Sequence, residues 1–339
     1  SSASDRFAHY IKRRQINMTS NTAQKDVLPQ NEQPYVNKPI SKGKYIRVQM
    51  KRNWQGYVMV APFLIMFTAF TVVPVVLSIL LSFTSFNMLE FPEWKGLQNY
   101  VQLFLADDLF ITAFSNTLMF AITTGPASFI LSFIVAWFIN ELSPKMRALV
   151  TIIFYAPSIA GTAYLVFGIF FQGDIYGYVN GWLLRMGLIT QPIVFFKDTT
   201  YIVPLCIIVA LWTSLGTTFL SNIAGLQGVD HSLYEAGAID GVKNRWQEAW
   251  YITLPQMRSI LLFGAVMAIT QSFGFGGIVD TLCGNPSTDY VAWTLQHHLT
   301  EYMNVRFEYG YASAIAVMLF FIMMVSNLLV QKFLSKVGQ

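Results

Sequence analysis

Six stretches of the chain carry no Asp, Glu, Lys or Arg: residues 57–83, 111–140, 148–171, 201–226, 259–279 and 311–331. Each reaches the roughly 20 apolar residues that a helix needs to cross the hydrocarbon core of a bilayer. The pattern predicts six transmembrane helices in an all-α, polytopic membrane helix bundle spanning residues 53–335. Pro74, Pro126, Pro157 and Pro204, and the run GFGG at 274–277, fall inside these windows. In a bilayer such breaks are tolerated where neighbouring helices or a water-lined cavity satisfy the freed backbone groups. Several of them at mid-depth predict a cavity-forming bundle.

Between the fourth and fifth windows the pattern changes. YEAGAIDGVKNRWQEAWYITLP, residues 234–255, is amphipathic and charged. Ser232 with Glu235 three residues on reads as a capping box, starting a helix at Leu233 that runs to about Asp240. Gly241 permits a left-handed turn, and Asn244 with Gln247 repeats the capping signal for a second helix that ends before Pro255. The unit presents Leu233, Tyr234, Ala236, Ile239, Trp246, Trp250 and Tyr251 among Glu235, Asp240, Lys243 and Arg245, a surface suited to a protein partner.

Composition agrees with a membrane protein: of 339 residues 54% are hydrophobic and only 12% charged, about half the charge of a soluble chain. Residues 1–52 hold eleven of the 22 Lys and Arg against three acids, and read as a basic, largely disordered tail without a signal-peptide core. Placing that tail in the cytoplasm puts eighteen of the 22 basic residues on the inner side. The segment 230–257 and both termini are then cytoplasmic. The tail suits anionic lipid; it lacks the ordered aromatic platform of a nucleic-acid site.

Other chemistries are excluded or weakened. A membrane-embedded enzyme or an ion-coupled carrier needs ionisable groups at membrane depth, and the six windows have none. No phosphate-cradling Gly-rich Lys-Ser or Lys-Thr motif occurs, so any ATP is hydrolysed by another chain, and no cofactor or metal is expected in this one. Cys206 and Cys283 build no disulfide framework. His297 and His298 adjoin in an expected outer loop without further ligands at metal spacing, which favours a loop or docking role. Asp280 lies near the outer end of the fifth window, within reach of water. The fourth window carries VALWTSLGTT at 209–218, where Trp212, Thr213, Ser214 and Thr217 offer the polar and aromatic groups of a solute cavity. Ser and Thr in membrane helices also bond to helix carbonyls, so both roles stay open.

The stretch 234–255 resembles the EAA signature of permease subunits of binding-protein-dependent ABC importers. Glu235, Ala236, Gly241, Ile252, Leu254 and Pro255 fall in register, and Gly237 replaces the third alanine. KGLQNYVQLF at 95–104, SNTLMF at 115–120, APSIAGTAY at 156–164 and GYASAIAV at 310–317 are similar, in the same order, to motifs of the maltose-type carbohydrate permeases. The resemblance implies a type I ABC importer permease fold in a bacterial plasma membrane and a pathway for a carbohydrate, in particular an oligosaccharide. The partners it implies are a second homologous permease, a cytoplasmic ATPase dimer holding ATP and Mg, and an extracytoplasmic solute-binding protein.

On the same resemblance, Glu235, Ala236, Asp240, Gly241, Leu254 and Pro255 couple to the ATPase. Solute contacts fall on Thr213, Ser214 and Thr217 beside Ala210, and on Gln271, Ser272 and Phe275, with Trp212 added from the fourth window. Ala210 has no hydrogen-bonding side chain, and the family's Gly-Gly-Pro appears as Gly284, Asn285 and Pro286, one residue short. Glycerol phosphate or another small polar solute is the alternative cargo. An anion favours a basic group facing the cavity; the windows hold none, although partner subunits or helix N-termini could supply positive potential.

Overall fold

The computed structural model describes residues 49–334. The expected tail lies outside the described residues as far as residue 48; its last four positions, 49–52, are helical. The chain divides into two units, Ser1–Thr68 and Ala69–Gln339. In the first, the described part is the opening of helix α1 (Trp54–Leu81), where no residue of Trp54–Phe67 is buried. Thr68–Val72 is a π turn. Pro74 follows it, and the wider turn accommodates a ring that would otherwise press on the carbonyl of Phe70, four residues back.

Apart from one isolated bridge between Thr84 and Trp94, helices are the regular secondary structure of the second unit among the described residues, joined by loops. After α1 come α2 (Gln98–Leu105), α3 (Asp108–Asn140), α4 (Pro144–Ile159), α5 (Leu165–Phe170), α6 (Tyr178–Arg185), α7 (Thr199–Thr213), α8 (Thr217–Gln227), α9 (His231–Ile239), α10 (Arg245–Gln256), α11 (Arg258–Ser272), α12 (Gly276–Cys283), α13 (Leu295–Asn304) and α14 (Tyr309–Leu334). Helices α1, α3 and α14 are each long and apolar enough to cross a membrane. Helices α7 and α8 are together long and apolar enough as well, as a pair bent by 43° at 214–216.

Two further windows differ from a single straight span. Residues 148–171 break after Ile159, where Ala160 leaves helical geometry and 160–164 form turns before α5. Pro157 and Gly161 leave that segment poor in helix propensity. The fifth window is α11 followed by α12 across a break at 273–275.

Helix α3 lies along α8 and α11. Small residues make that approach possible: a Cβ on Gly264 would stand 3.1 Å from Thr218 Cγ2, and one on Gly125 would stand 3.3 Å from Ser272 Oγ. The stretch 95–104 seals the C-terminal end of α1, with the buried Asn99 amide donating to the Ser82 and Thr84 carbonyls at 2.8 and 2.9 Å. From α3, Asn116 donates to the Tyr290 and Trp293 carbonyls and Thr117 accepts from the Leu295 amide at 2.9 Å, fixing the chain that enters α13.

At the start of α14 the Gly310 amide donates to the Phe86 carbonyl at 2.9 Å, and a Cβ on Gly310 would collide with the Thr84 carbonyl oxygen. Since backbone cannot give as a side-chain tip can, Gly310→Ala is expected to cost about 1–3 kcal/mol. Thermal unfolding of the purified variant in detergent measures it, and an unchanged midpoint refutes the assignment of Gly310 to a packing contact.

Candidate functional site

Helices α3, α7, α11 and α12 enclose a cavity of about 330 Å³ lined by Thr124, Ser128, Ala210, Thr213, Ser214, Gln271, Ser272 and Phe275 with Ala268, Gly274 and Ile278. The cavity gathers Thr213, Ser214, Gln271, Ser272 and Phe275, with Ala210 beside them. Trp212 and Thr217 lie outside the lining. Trp212 is turned by one helical step from Thr213 and meets Phe167 edge-on at 5.2 Å. Thr217 opens α8 beyond the bend, with its side chain exposed. Thr124 and Ser128 of α3 complete the wall and were missed. Their signal was present as hydroxyls four residues apart flanking Gly125 and Pro126, one helical face in an apolar window.

Each hydroxyl in the wall is tied to its own helix. Thr124 donates to the Phe120 carbonyl at 2.7 Å, Ser128 to Gly125 at 2.9 Å, Ser214 to Leu211 at 2.7 Å and Ser272 to Ile269 at 2.7 Å. Thr213 is shared between the Val209 and Ala210 carbonyls, both at 3.1 Å. The bonds spend each proton inward and leave oxygen lone pairs as acceptors. Gln271 is exposed and supplies two N–H donors and a further acceptor. Phe275 stacks on Phe120 at 4.7 Å. No side chain in the lining is charged.

The loop between α8 and α11 is a helix, turn and helix whose first cap differs from expectation. Asp230, not Ser232, caps α9: its side chain accepts from the Ser232 amide at 3.0 Å, and the helix begins at His231. Placed at the N-terminal end of the dipole, a carboxylate combines capping with charge stabilisation. Glu235 is thereby free of the capping duty expected of it; it is exposed and makes no hydrogen bond or ion pair among the described residues. Ala236 and Asp240 are exposed too.

Helix α9 ends in a Schellman motif: Gly241 sits at φ +96°, the Val242 amide donates to the Gly237 carbonyl at 2.9 Å, and the Gly241 amide to Ala238 at 3.4 Å. Asn244 caps α10 by accepting from the Gln247 amide at 3.0 Å, while Gln247 Oε1 accepts from the Lys243 amide at 2.8 Å. The two helices are clasped by a 2.9 Å hydrogen bond between the Tyr234 and Thr253 hydroxyls. Helix α10 includes a π turn at Ala249–Thr253, passes through Leu254 and Pro255, and meets α11 at 84°. Trp246, Trp250, Tyr251 and Ile239 remain well exposed, Ile239 at 87%.

Toward the other end of α3, Asp107 caps the helix through the Phe110 amide at 2.9 Å. Its second oxygen accepts from Tyr311 at 2.8 Å, Tyr302 at 3.2 Å and His298 Nε2 at 2.9 Å. His297 and His298 are therefore buried parts of α13, 2% exposed each, and not a docking loop. His297 lies 3.1 Å from Asp280 and stacks on Trp293. Burial holds the His298 imidazole below its ordinary value of 6.5, although the Asp107 carboxylate pulls the other way. Burial likewise raises Asp107, but the Tyr311 hydroxyl, the Phe110 amide and His298 outweigh it and leave the carboxyl low. No group of three or more His, Cys, Asp or Glu fit to hold a metal occurs among the described residues.

A bundle of broken apolar helices around an uncharged polar cavity, with a stiff polar loop set across the last spans, defines a membrane permease. The chain matches, over residues 110–339, the family described as "Binding-protein-dependent transport system inner membrane component", and it belongs to that family. It is 31% identical over 272 residues to the probable ABC transporter permease protein YesP of Bacillus subtilis (strain 168), covering 78% of this chain and 85% of the relative. It is 30% identical to the lactose transport system permease protein LacF of Rhizobium radiobacter, covering 67% and 75%. The fold matches the crystal structure of a bacterial ABC transporter involved in the import of the acidic polysaccharide alginate, at a TM-score of 0.72 and 24% identity over 87% of this chain and 100% of that one. The fold is thus that of ABC importer permeases, and the chain is a permease subunit rather than an enzyme.

Two outcomes test this geometry. A His held below its unfolded value adds stability that is full above pH 6.5 and is lost as the pH falls through that value, because the unfolded chain then binds the extra proton. His298→Gln keeps a donor toward Asp107 and removes the titration. Its thermal midpoint is therefore expected to fall less than the wild type's between about pH 7 and pH 5; parallel slopes refute the assignment. A Cβ on Gly237 would meet Ile252 Cδ1 at 2.6 Å, so glycine at this signature position makes room for Ile252. Gly237→Ala is expected to stabilise by about 1 kcal/mol in an Ile252→Val background and not in the wild type, read as a double-mutant cycle of thermal stability.

Proposed function

We propose that this chain is one of two homologous permease subunits of an ATP-driven importer, and that its cavity passes a neutral carbohydrate, in particular an oligosaccharide, delivered by an extracytoplasmic binding protein. The observation that carries the reading is the chemistry of the cavity. Five hydroxyls and the Gln271 amide surround the Phe275 ring in a volume at the lower end of small-molecule sites, with no charged group. A sugar presents hydroxyls for such acceptors and donors and an apolar ring face for the phenyl. An anion such as glycerol phosphate meets no cation there, which makes the neutral cargo the better fit. The likeness to a lactose permease supports a sugar.

The loop α9 to α10 then faces the cytoplasm, as do both termini, in line with the basic-residue count. Its exposed Glu235, Ala236, Asp240 and Gly241, with Leu254 and Pro255 at its exit, make it the seat of an ATPase dimer that holds ATP and Mg. A loop that transmits displacement must resist bending, and the caps, the Schellman motif and the clasp supply that stiffness.

Uptake of labelled lactose and raffinose by proteoliposomes holding the assembled importer tests the reading. Transport should need ATP and the binding protein, and glycerol 3-phosphate should not compete. Transport by this chain with no ATPase present overturns it. Glu235→Lys and Gly241→Val are expected to insert normally and to abolish uptake or leave ATP hydrolysis running without it; valine is strained at a positive φ.

A further inference from the structure

We infer that Glu141 and Trp137, at the inner end of α3, are positioning residues that make α3 move with the loop, so that α3 and α11 shift as one wall of the cavity. The inference rests on the coupling role proposed for α9 and α10. Helix α10 has a covalent route into α11 through Met257, but none into α3. Beyond the packing of Ala249 in one buried cluster with Ala136 and Ile139, two side-chain contacts supply it. Arg245 Nη2 lies 3.0 Å from Glu141 Oε2, and the Trp246 ring meets Trp137 at 4.9 Å. Arg245 is also held by Glu248 at 2.7 Å, which fixes its guanidinium on α10 while it reaches Glu141.

Helix α3 is suited to carry what it receives. Its 33 residues form one uninterrupted helix of about 50 Å, anchored at the inner end where Arg147 donates to the Asn140 and Leu142 carbonyls at 2.7 and 3.3 Å. Halfway along, Thr124 and Ser128 enter the cavity wall, and between them Gly125 closes on Ser272 of α11. Pro126 leaves the Ile122 carbonyl without its helical partner, a natural place to flex. A displacement entering α11 through Met257 and α3 through Glu141 and Trp137 moves Gln271, Ser272, Thr124 and Ser128 together against Thr213 and Ser214 of α7. Without the second entry, α3 follows α11 only through the packing between them.

The test uses the assembled importer in proteoliposomes with labelled lactose and raffinose, comparing Glu141→Arg, Arg245→Glu, the double exchange and Trp137→Ala. Glu141→Arg and Trp137→Ala, both outside the loop, are expected to co-purify with the ATPase and hydrolyse ATP, while solute moved per ATP falls roughly three- to tenfold. The exchange, which reverses the pair, should return that ratio to within about twofold of the wild type. Single variants that keep the wild-type ratio, or an exchange no better than its parents, overturn the inference. Glu235→Lys separates the two readings. If it leaves uptake intact, the coupling role of the loop falls; if it stops uptake while Glu141→Arg and Trp137→Ala do not, only the route through α3 falls.

Discussion

The constraint on which the rest of this structure depends is that hydrocarbon offers no partner to a backbone N–H or C=O, so each span must satisfy its own groups or be interrupted where protein or water can. The interruptions here converge. The pair α7 and α8 bends at 214–216 and α11 stops at 273–275, both facing the stretch of α3 that carries Gly125 and Pro126 within a continuous helix. All three lie at the wall of the same cavity. The hydroxyls around it also serve as internal partners for helix carbonyls, which lowers the cost of placing them at that depth. A role in backbone satisfaction and a role toward solute are not rivals: a hydroxyl that donates inward still accepts outward.

The same economy explains why the motifs outside the loop fall where they do. Asn99 seals the end of α1, Asn116 and Thr117 hold the approach to α13, the segment 156–164 is the break between α4 and α5, and Gly310 packs against the backbone at Thr84. These are joints, where the chain changes direction and backbone groups need specific partners. Spans between joints need only be apolar and of the right length.

That division accounts for what was legible. Windows free of charge marked the spans because burying a charge is costly whatever the neighbours, and the left-handed turn at Gly241 followed from a local rule. Tertiary facts were not local. Ser232 fits a cap by the local rule, but the fold uses the Asp230 carboxylate instead. Trp212 and Thr213 are adjacent in sequence but about 100° apart on the helix, so only one faces the cavity. His297 and His298 sit in the polar run LQHHLTEYMN, which reads as surface; the acceptors that bury them, Asp107 and the Gly276 carbonyl, come from 191 and 21 residues away. Thr124 and Ser128 looked like incidental hydroxyls until α7 and α11 were placed opposite.

Helix α3 joins these levels. One end is fixed by Asp107, a carboxylate whose cap bond and three side-chain hydrogen bonds tie it to α13 and α14; the other meets the loop through Glu141 and Trp137. An exposed ion pair such as that of Arg245 and Glu141 contributes at most about 1 kcal/mol, too little to be there for stability alone. On the coupling role proposed for the loop, that weakness suits a contact remade as the loop moves, while the indole pair holds the helices together. A helix held firmly at one end, gripped adjustably at the other and weakened halfway by Gly125 and Pro126 can only yield in the middle, where the cavity is.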